Sequence, residues 1–501
     1  MTPDRRTLLR AGLGATATLA SPLGPLTTRA AGGVAPETPP PIEGGVSCDA
    51  DTCTAASEDF GRIIRARPQM VVRPKSSADV GNTMQWAVER KLKVAARGCG
   101  HSTYGRALAE GGVVIDMTEI NTIGEIGPVR VPVGDGTIGA DILNAGREPD
   151  RMMVGAGATW SNVLDAALKR GLTPPVLTNY LGLTVGGTIA IGGIGGSSSR
   201  HGLQADNVLE LNVVTGDGSE LSCSSSVNAD LFDAARAGLG QCGIITRATL
   251  RLVRAPERVR RWQLYYPNLA ALAADQQRAL DNGRFDQLQG AVLPDGSGGW
   301  RYMLDGAIFY DRGAPDTEKS LQGLSDIRSA AQTIDVSYRD DAHAFAKFEA
   351  LLRSKGHWTN PQPWLFTFLP ASRAEQFARE TLGNLTGDDI GPFGRITFYP
   401  LRRDAIRAPM VRMPDETTVF AFNIVRIPTS DDAKRVEQML TSNRAIYTRV
   451  RDAGGVLYPV SAFPMWPDDW QRHFGAAWTR LREAKRRYDP HNLLTPGYNV
   501  V

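Results

Sequence analysis

The chain has 501 residues, of which 42% are hydrophobic and 22% charged, the composition of a soluble globular protein of roughly two to four folding units. Its formal net charge is +3 without long basic runs, which disfavours nucleic acid as a partner. No apolar stretch approaches the ~20 residues that span a bilayer, and no cysteine–histidine cluster has the spacing of a metal site.

The first residues predict an export signal. Arg5 and Arg6 precede a mildly apolar Ala/Leu/Gly segment and a small-residue stretch at 28–31, the pattern of the Tat route. An ordinary Sec signal or a basic disordered leader is the alternative. We therefore expect a Tat-type signal peptide over 1–31, a periplasmic or extracellular location, and a flexible linker over 32–54.

Next come the elements of an α+β domain. A strand ending at 71–73 precedes Ser77 as N-cap of an amphipathic helix, and a strand at 93–96 follows. Gly171 ends a helix predicted over 160–170, and Asp217-Gly218 predicts a hairpin turn. Further strands are predicted at 113–115, 129–133, 208–215 and 244–253, a helix at 229–237, and a domain boundary near Pro256.

The cysteines predict little chemistry. Cys48 and Cys53 lie close enough in sequence to form a disulfide after export. Cys99, Cys223 and Cys242 lie in apolar or glycine-rich surroundings and are expected to be buried.

Glycine patterns carry the functional signal. Gly-Asp-Gly-Thr-Ile-Gly at 134–139 matches a dinucleotide motif, but Gly146 and Pro149 leave no room for the helix that holds the pyrophosphate, so a turn is predicted. In Arg-Gly-Cys-Gly-His-Ser at 97–102, the glycines allow consecutive backbone amides to converge on an anion. The glycines at 184–188 and 192–196 predict neither a regular helix nor a central strand, but a chain lying flat against a large ligand.

These motifs, followed by Gly-Leu-Gly-Gln-Cys-Gly-Ile-Ile-Thr at 238–246, resemble the PCMH-type FAD-binding fold of the vanillyl-alcohol oxidase superfamily. Within it the chain is most similar to the cytokinin dehydrogenases. The likeness rests on Asn-Tyr-Leu at 179–181, Arg-His-Gly at 200–202, Asn-Ala-Asp-Leu-Phe at 228–232, Pro-Trp-Leu at 363–365 and Leu-Leu-Thr-Pro-Gly at 493–497. It runs from about residue 60 onward and is faintest between 260 and 340.

The resemblance implies a two-part, PCMH-type FAD-binding domain over 55–255, completed by 475–501. An antiparallel sheet with helices would form an inserted substrate domain over 256–474. It further implies FAD bonded through its 8α-methyl carbon to His101, whose neutral imidazole attacks that carbon. The remaining cofactor contacts it implies are Gly98, Cys99, Gly100 and Ser102 around the pyrophosphate, with Arg106 nearby, and Thr184, Ala190, Ile194, Ile244, Thr495 and Tyr498 around the flavin.

Two positions depart from the family pattern. Cytokinin dehydrogenases carry an aspartate, which accepts the substrate proton, where this chain has Asn179; Gln289 lies about where the family carries a second carboxylate. An amide orients a substrate but accepts no proton, so another residue or water must do so. The resemblance thus implies hydride transfer to flavin from a C–H next to N or O of a small molecule, with oxygen or a quinone-like compound as electron acceptor. The alternatives are an alcohol or sugar oxidase and a secreted flavin- or purine-binding protein with little turnover.

The other histidines are given no chemistry. His201 is interpreted as structural, holding the glycine stretch in place. His343, His357, His473 and His491 are expected on helices or surfaces, and Trp358 and Trp364 in the core.

Overall fold

A computed structural model describes residues 39–128 and 150–500. The predicted signal peptide at 1–31, the strand at 129–133 and the glycine turn at 134–139 lie outside these residues. Within them no helix is both long enough and apolar enough to cross a bilayer.

The described residues form the following strands: β1 (Gly45–Ser47), β2 (Met70–Arg73), β3 (Val94–Arg97), β4 (Val113–Asp116), β5 (Ile123–Pro128), β6 (Asp150–Gly155), β7 (Leu172–Thr173), β8 (Val208–Val214), β9 (Glu220–Ser224), β10 (Ile244–Arg251), β11 (Val253–Arg254), β12 (Arg258–Tyr266), β13 (Gln287–Pro294), β14 (Trp300–Tyr310), β15 (Gln332–Ser337), β16 (Leu365–Pro370), β17 (Arg395–Arg402), β18 (Thr418–Val425) and β19 (Val456–Leu457).

The α-helices are α1 (Ala50–Ala55), α2 (Ser77–Arg90), α3 (Trp160–Leu168), α4 (Val185–Ile189), α5 (Ser198–His201), α6 (Ala229–Ala235), α7 (Leu269–Asp281), α8 (Thr317–Leu321), α9 (Tyr338–Ala342), α10 (Phe345–Ser354), α11 (Ala371–Leu382), α12 (Gly387–Ile390), α13 (Ala433–Asp452), α14 (Pro467–Phe474) and α15 (Trp478–Tyr488). Single 3₁₀ turns lie at Met117–Glu119, Gln204–Asn207, Arg328–Ala330, His357–Thr359, Arg403–Ala405, Gly475–Ala477 and Pro496–Tyr498.

The first sheet has the strand order β1-β2-β4-β3, with β4 parallel to both of its neighbours. Helix α2 packs on it, because Val80, Met84 and Ala87 fall on one face of the helix and are fully buried. Its N-cap is Ser76, whose Oγ accepts a hydrogen bond from the backbone of Asp79, so the prediction of Ser77 was wrong by one residue.

The segment predicted as a linker is partly folded. Strand β1 pairs antiparallel with β2, and α1 follows it, so the described part of the linker predicted over 32–54 is folded from Gly45 onward. The backbone amides of Glu43 and Gly44 donate to the buried carboxylate of Asp79, which ties this segment to α2.

The second sheet has the order β5-β6-β10-β8-β9 and is antiparallel throughout. The predicted turn at Asp217-Gly218 joins β8 to β9, and the Thr215 backbone amide donates to the Ser219 carbonyl at 2.9 Å. Helices α3 and α6 occupy the predicted positions, each ending two residues early.

The glycines at 184–188 behave differently from the prediction. Residues 185–189 form the short helix α4, so the expectation of a non-helical chain there was wrong. The Trp160 indole donates to Thr188 Oγ1 at 2.8 Å, and a Cβ on Gly186 would lie 2.8 Å from that of Ala156. Close packing against β6 therefore selects these glycines and outweighs their poor helix propensity.

The third sheet is antiparallel, with eight described strands in the order β15-β12-β14-β13-β17-β18-β16-β19. Helix α7 buries Leu272 and Ala279 against it, and α11 buries Phe377 beside Phe422 of β18. This sheet with its helices, and the two sheets before it, confirm the predicted α+β class.

The residues after 475 return to the first sheet. Val94 donates from its backbone to the Leu493 carbonyl at 2.9 Å, and Thr495 donates to the Val94 carbonyl at 2.8 Å. Leu493 and Leu494 are buried in the core of that sheet. The turn before them is fixed by Asp489, whose carboxylate accepts both of their amides and pairs with Lys485 at 2.6 Å.

Candidate active site

A single cavity of about 420 Å³ lies between the glycine-rich loops and the third sheet. It brings together all the predicted site residues, from positions 98 to 498 of the sequence. These residues are Gly98, Cys99, Gly100, His101, Ser102, Arg106, Asn179, Thr184, Ala190, Ile194, Ile244, Gln289, Thr495 and Tyr498. The structure thus places them in one site, while their individual roles stay predictions.

The loop after β3 presents its backbone amides to this cavity. Its carbonyls are engaged, because Gly100 and Ser102 accept from the amides of Phe60 and Gly61 at 2.8 and 2.9 Å. Among the described residues, the backbone amides of residues 99–103 donate to no backbone carbonyl, although that of His101 hydrogen-bonds with the Cys99 side chain. N–H groups without a carbonyl acceptor suit an anion such as the pyrophosphate of FAD.

Two glycines show why backbone alone faces this part of the cavity. A Cβ on Gly98 would lie 2.0 Å from Thr184 Oγ1. Gly100 has a φ of +70°, and a Cβ there would lie 2.5 Å from the Arg97 guanidinium. Neither position accepts a side chain, so the loop keeps the room that a dinucleotide requires. The residues present therefore fit FAD.

The His101 ring lies in an aromatic cluster. Its centroid is 3.8 Å from Phe60, 5.0 Å from Tyr180, 5.8 Å from Trp364 and 5.9 Å from Trp358. Burial among these rings lowers the pKa of His101 to about 3. The imidazole is therefore neutral at physiological pH and has a free lone pair, as a nucleophile requires.

A buried carboxyl supports the loop from behind. Asp59 accepts hydrogen bonds from Ser102 Oγ at 2.8 Å and from the Gly105 amide, while its second oxygen, Oδ1, has no partner in the described chain. Burial raises the pKa of Asp59 to about 6, against the lowering effect of those hydrogen bonds. The orphaned oxygen is consistent with a proton on this carboxyl below that pH.

The opposite wall is one face of the third sheet. Side chains on alternate residues of β17, Arg395, Thr397 and Tyr399, all line the cavity, as period two requires. Asn423 of β18 donates to Thr397 Oγ1 at 2.7 Å, and Gln289 of β13 hydrogen-bonds with Tyr399. These neutral polar groups would face a substrate.

Contacts across the cavity join this sheet to the glycine loops. Tyr458 accepts from the Gly193 amide at 3.0 Å, and burial raises the pKa of Tyr458 to about 12. Gln362 donates from its backbone to the Gly61 carbonyl at 2.9 Å. These two hydrogen bonds therefore connect the substrate-side wall of the cavity to the side formed by the glycine-rich loops.

The charged residues that line the cavity are cationic, whereas a basic amine substrate would favour negative charge. None of the cavity's described lining residues is a carboxylate, whereas Arg97, Arg106 and Arg395 are cationic. Arg97 donates to the Ala56 carbonyl at 3.2 Å, and Arg106 to the Gly497 carbonyl at 3.0 Å. In the part of the chain that the structure describes, no group of acidic, histidine and cysteine residues forms a metal site.

The structure corrects several predictions made for cysteines. Cys48 and Cys53 are free thiols, so the disulfide that their spacing allows is not formed. Cys99 lines the cavity wall rather than packing in the core. Cys223 and Cys242 are buried as predicted.

One histidine differs from expectation. The His201 side chain is exposed, so it does not hold the glycine stretch; its backbone carbonyl accepts from Asn207 instead. His473 lies on a helix, as expected, and its side chain is buried against Trp470 and Phe474 of α14.

Sequence reasoning missed most of the substrate-side wall. Trp358 is buried as predicted, but it also lines the cavity, as do Trp364, which was predicted as core, and Phe345 and Phe348 of α10. Arg395 was not singled out at all. The alternation of polar residues at 395, 397 and 399 within a strand was the available signal, since one such face must meet polar surroundings.

Comparisons with known proteins agree with this site. Residues 291–501 match the family model described as cytokinin dehydrogenase 1, FAD and cytokinin binding, and residues 68–224 match an FAD binding domain. An uncharacterised oxidoreductase from the fasciation locus of Rhodococcoides fascians is 43% identical, covering 89% of this chain and 97% of that protein. Cytokinin dehydrogenase 10 of Oryza sativa subsp. japonica is 35% identical, covering 91% of this chain and 88% of that protein.

Solved structures agree on the fold. 6-Hydroxy-D-nicotine oxidase from Arthrobacter nicotinovorans superposes with a TM-score of 0.68 at 22% identity, covering 93% of this chain and 99% of that one. A chitooligosaccharide oxidase gives a TM-score of 0.66 at 15% identity, covering 90% and 95%. With the sequence relatives and the FAD-binding domain, these findings show that the chain is an FAD-dependent oxidoreductase and belongs to the cytokinin dehydrogenase family.

Proposed function

We propose that this enzyme carries FAD bonded covalently to His101 and oxidises a small molecule at a C–H next to nitrogen or oxygen, a cytokinin-like secondary amine in the leading case. The observation that carries the proposal is the cavity itself, in which a neutral His101 adjoins the free amides of the glycine loop. When bound, FAD supplies a hydride acceptor at its N5 atom.

Two groups of residues would hold the cofactor. The amides around Gly98, Cys99, Gly100 and Ser102 would bind the pyrophosphate, with Arg106 adding a positive charge. The flavin ring would rest on the second group of predicted contacts, which are Thr184, Ala190, Ile194, Ile244, Thr495 and Tyr498. We assign 55–255 and 475–501 to the FAD-binding domain and 256–474 to the substrate domain.

Asn179 and Gln289 would orient the substrate, since amides donate and accept hydrogen bonds without taking up a proton. A neutral amine is oxidised without a carboxylate base, because the nitrogen lone pair forms the C=N bond as hydride leaves. The N–H proton then passes to water. This order of events suits a cavity without a lining carboxylate.

Location and electron acceptor complete the proposal. The twin-arginine pattern supports export through the Tat route to the periplasm or beyond. Oxygen or a quinone-like compound would reoxidise the flavin. A fusion of residues 1–38 to a folded reporter tests export, and abolition by Arg5→Lys and Arg6→Lys together is the expected result.

Anaerobic addition of isopentenyladenine to the purified yellow protein tests the chemistry. Bleaching of the flavin absorbance is expected, and His201→Ala, which changes an exposed histidine, should bleach at the same rate. A band that stays oxidised with isopentenyladenine and with other secondary amines, but bleaches with alcohols or sugars, would support the second candidate. A band that bleaches with none of them would contradict the proposed reaction.

A further inference from the structure

Arg395 is the cation of the cavity that forms no hydrogen bond or ion pair with the described residues. It begins β17, and its guanidinium carbon lies 4.8 Å from the ring centroid of Phe348. Burial lowers its pKa, and among the described residues no hydrogen bond to it raises that pKa again. Arg97 and Arg106, by contrast, both donate to backbone carbonyls.

The one carboxylate whose charge raises the pKa of Arg395 is Asp305. Asp305 is already ion-paired with Arg261, which pairs also with Asp341 at 2.8 Å. Phe348 offers the face of its ring, which attracts a nearby cation, but no acceptor atom. The N–H groups of the Arg395 guanidinium therefore have no acceptor among the described residues on the cavity side.

A partly buried guanidinium without a protein acceptor favours a ligand that supplies one, since a desolvated charge is unfavourable unless it is paired. The cavity offers amides where the family has an acidic group, at Asn179, so its polarity favours a negative rather than a basic ligand. The planar Arg395 guanidinium packs against the Phe348 ring. This arrangement suits a carboxylate or a phosphate, which a guanidinium binds with two parallel N–H···O hydrogen bonds.

We propose that Arg395 determines specificity by binding an oxyanion of the substrate, a carboxylate or a phosphate, so that the natural substrate is an acidic derivative of the amine class. The inference rests on the proposed function for the oxidation of the substrate amine. The binding of an oxyanion to Arg395 does not depend on that function. Thr397 and Tyr399 lie on the same strand face, with Tyr399 four residues or about 13 Å further along. The substrate would therefore extend along β17, with its acidic group at the Arg395 end.

Binding calorimetry on the flavin-loaded protein tests this with three matched probes: benzoate, phenyl phosphate and the neutral benzamide. At least one oxyanion should bind about 10- to 100-fold more tightly than benzamide, as a charge-assisted pair implies. Benzoate and phenyl phosphate distinguish a carboxylate site from a phosphate site. Arg395→Met should remove the preference, and Arg395→Lys should retain part of it.

Arg402→Met is the matched control, because it removes an exposed arginine from the other end of the same strand. It should leave all three affinities unchanged. Equal affinities for the three probes, or a preference that survives Arg395→Met in a variant of unchanged melting temperature, would overturn the proposal. Calorimetry reads binding alone, so this outcome is distinct from a failure of isopentenyladenine to bleach the flavin.

Discussion

The proposed covalent attachment of FAD to His101 should be nearly independent of pH between 8 and 5. The attacking imidazole must be neutral, and burial lowers its pKa from 6.5 to about 3. At pH 5 a histidine with the ordinary pKa would be about 3% neutral, whereas the buried ring stays almost wholly neutral. The two cases therefore differ by about 30-fold in attachment rate at pH 5.

The assay begins with protein produced under riboflavin limitation. FAD is added at pH 5, 6.5 and 8, the mixture is quenched in acid, and flavin fluorescence retained by the denatured chain is measured over time. His101→Ala should retain none, while His201→Ala, the exposed histidine of a neighbouring motif, should match the parent protein.

A second perturbation checks the physical cause. Phe60 lies 3.8 Å from the His101 ring, so Phe60→Asp places a carboxylate against the imidazole and raises its pKa. The rate at pH 5 should then fall relative to pH 8. If the parent protein itself slows about 30-fold between pH 8 and pH 5, the ring is not held neutral by burial and the reasoning is wrong.

Three further outcomes are expected. Asn179→Asp supplies a proton acceptor on the cavity wall and should speed anaerobic bleaching by isopentenyladenine at least tenfold; an unchanged rate would argue against an amine substrate. Gly98→Ala places a Cβ 2.0 Å from a threonine hydroxyl and should abolish flavin retention, whereas Gly45→Ala, whose nearest contact is 3.8 Å, should not. Asp489→Asn leaves Lys485 buried without its partner and should cost about 3–5 kcal/mol in denaturant unfolding; a smaller loss would show that the pair contributes little.

The parts that sequence predicts well are those written in local patterns. The turn at Asp217-Gly218 and the helix face at Val80, Met84 and Ala87 depend on neighbours in the chain, and the structure has both. The glycine loop at 97–102 lines the cavity in the structure, while its role in binding the pyrophosphate stays a prediction.

The features that the sequence did not predict depend on contacts between segments that are distant in the chain. The helix at Val185–Ile189 forms against Ala156 and Trp160, which no local propensity contains. Arg395 becomes notable only when the surrounding carboxylates are known to be engaged elsewhere. The sequence around Arg395 does not show which nearby acidic residues are already paired with other arginines in the folded protein.

The return of residues 493–495 to β3 has a consequence for biosynthesis. Val94 leaves the ribosome early, yet its backbone partners Leu493 and Thr495 are translated hundreds of codons later. The cavity wall that contains Thr495 is thus completed only after nearly the whole chain has been made. If FAD occupies this cavity as proposed, a product truncated before residue 493 should retain less flavin than the full chain, which absorbance would measure.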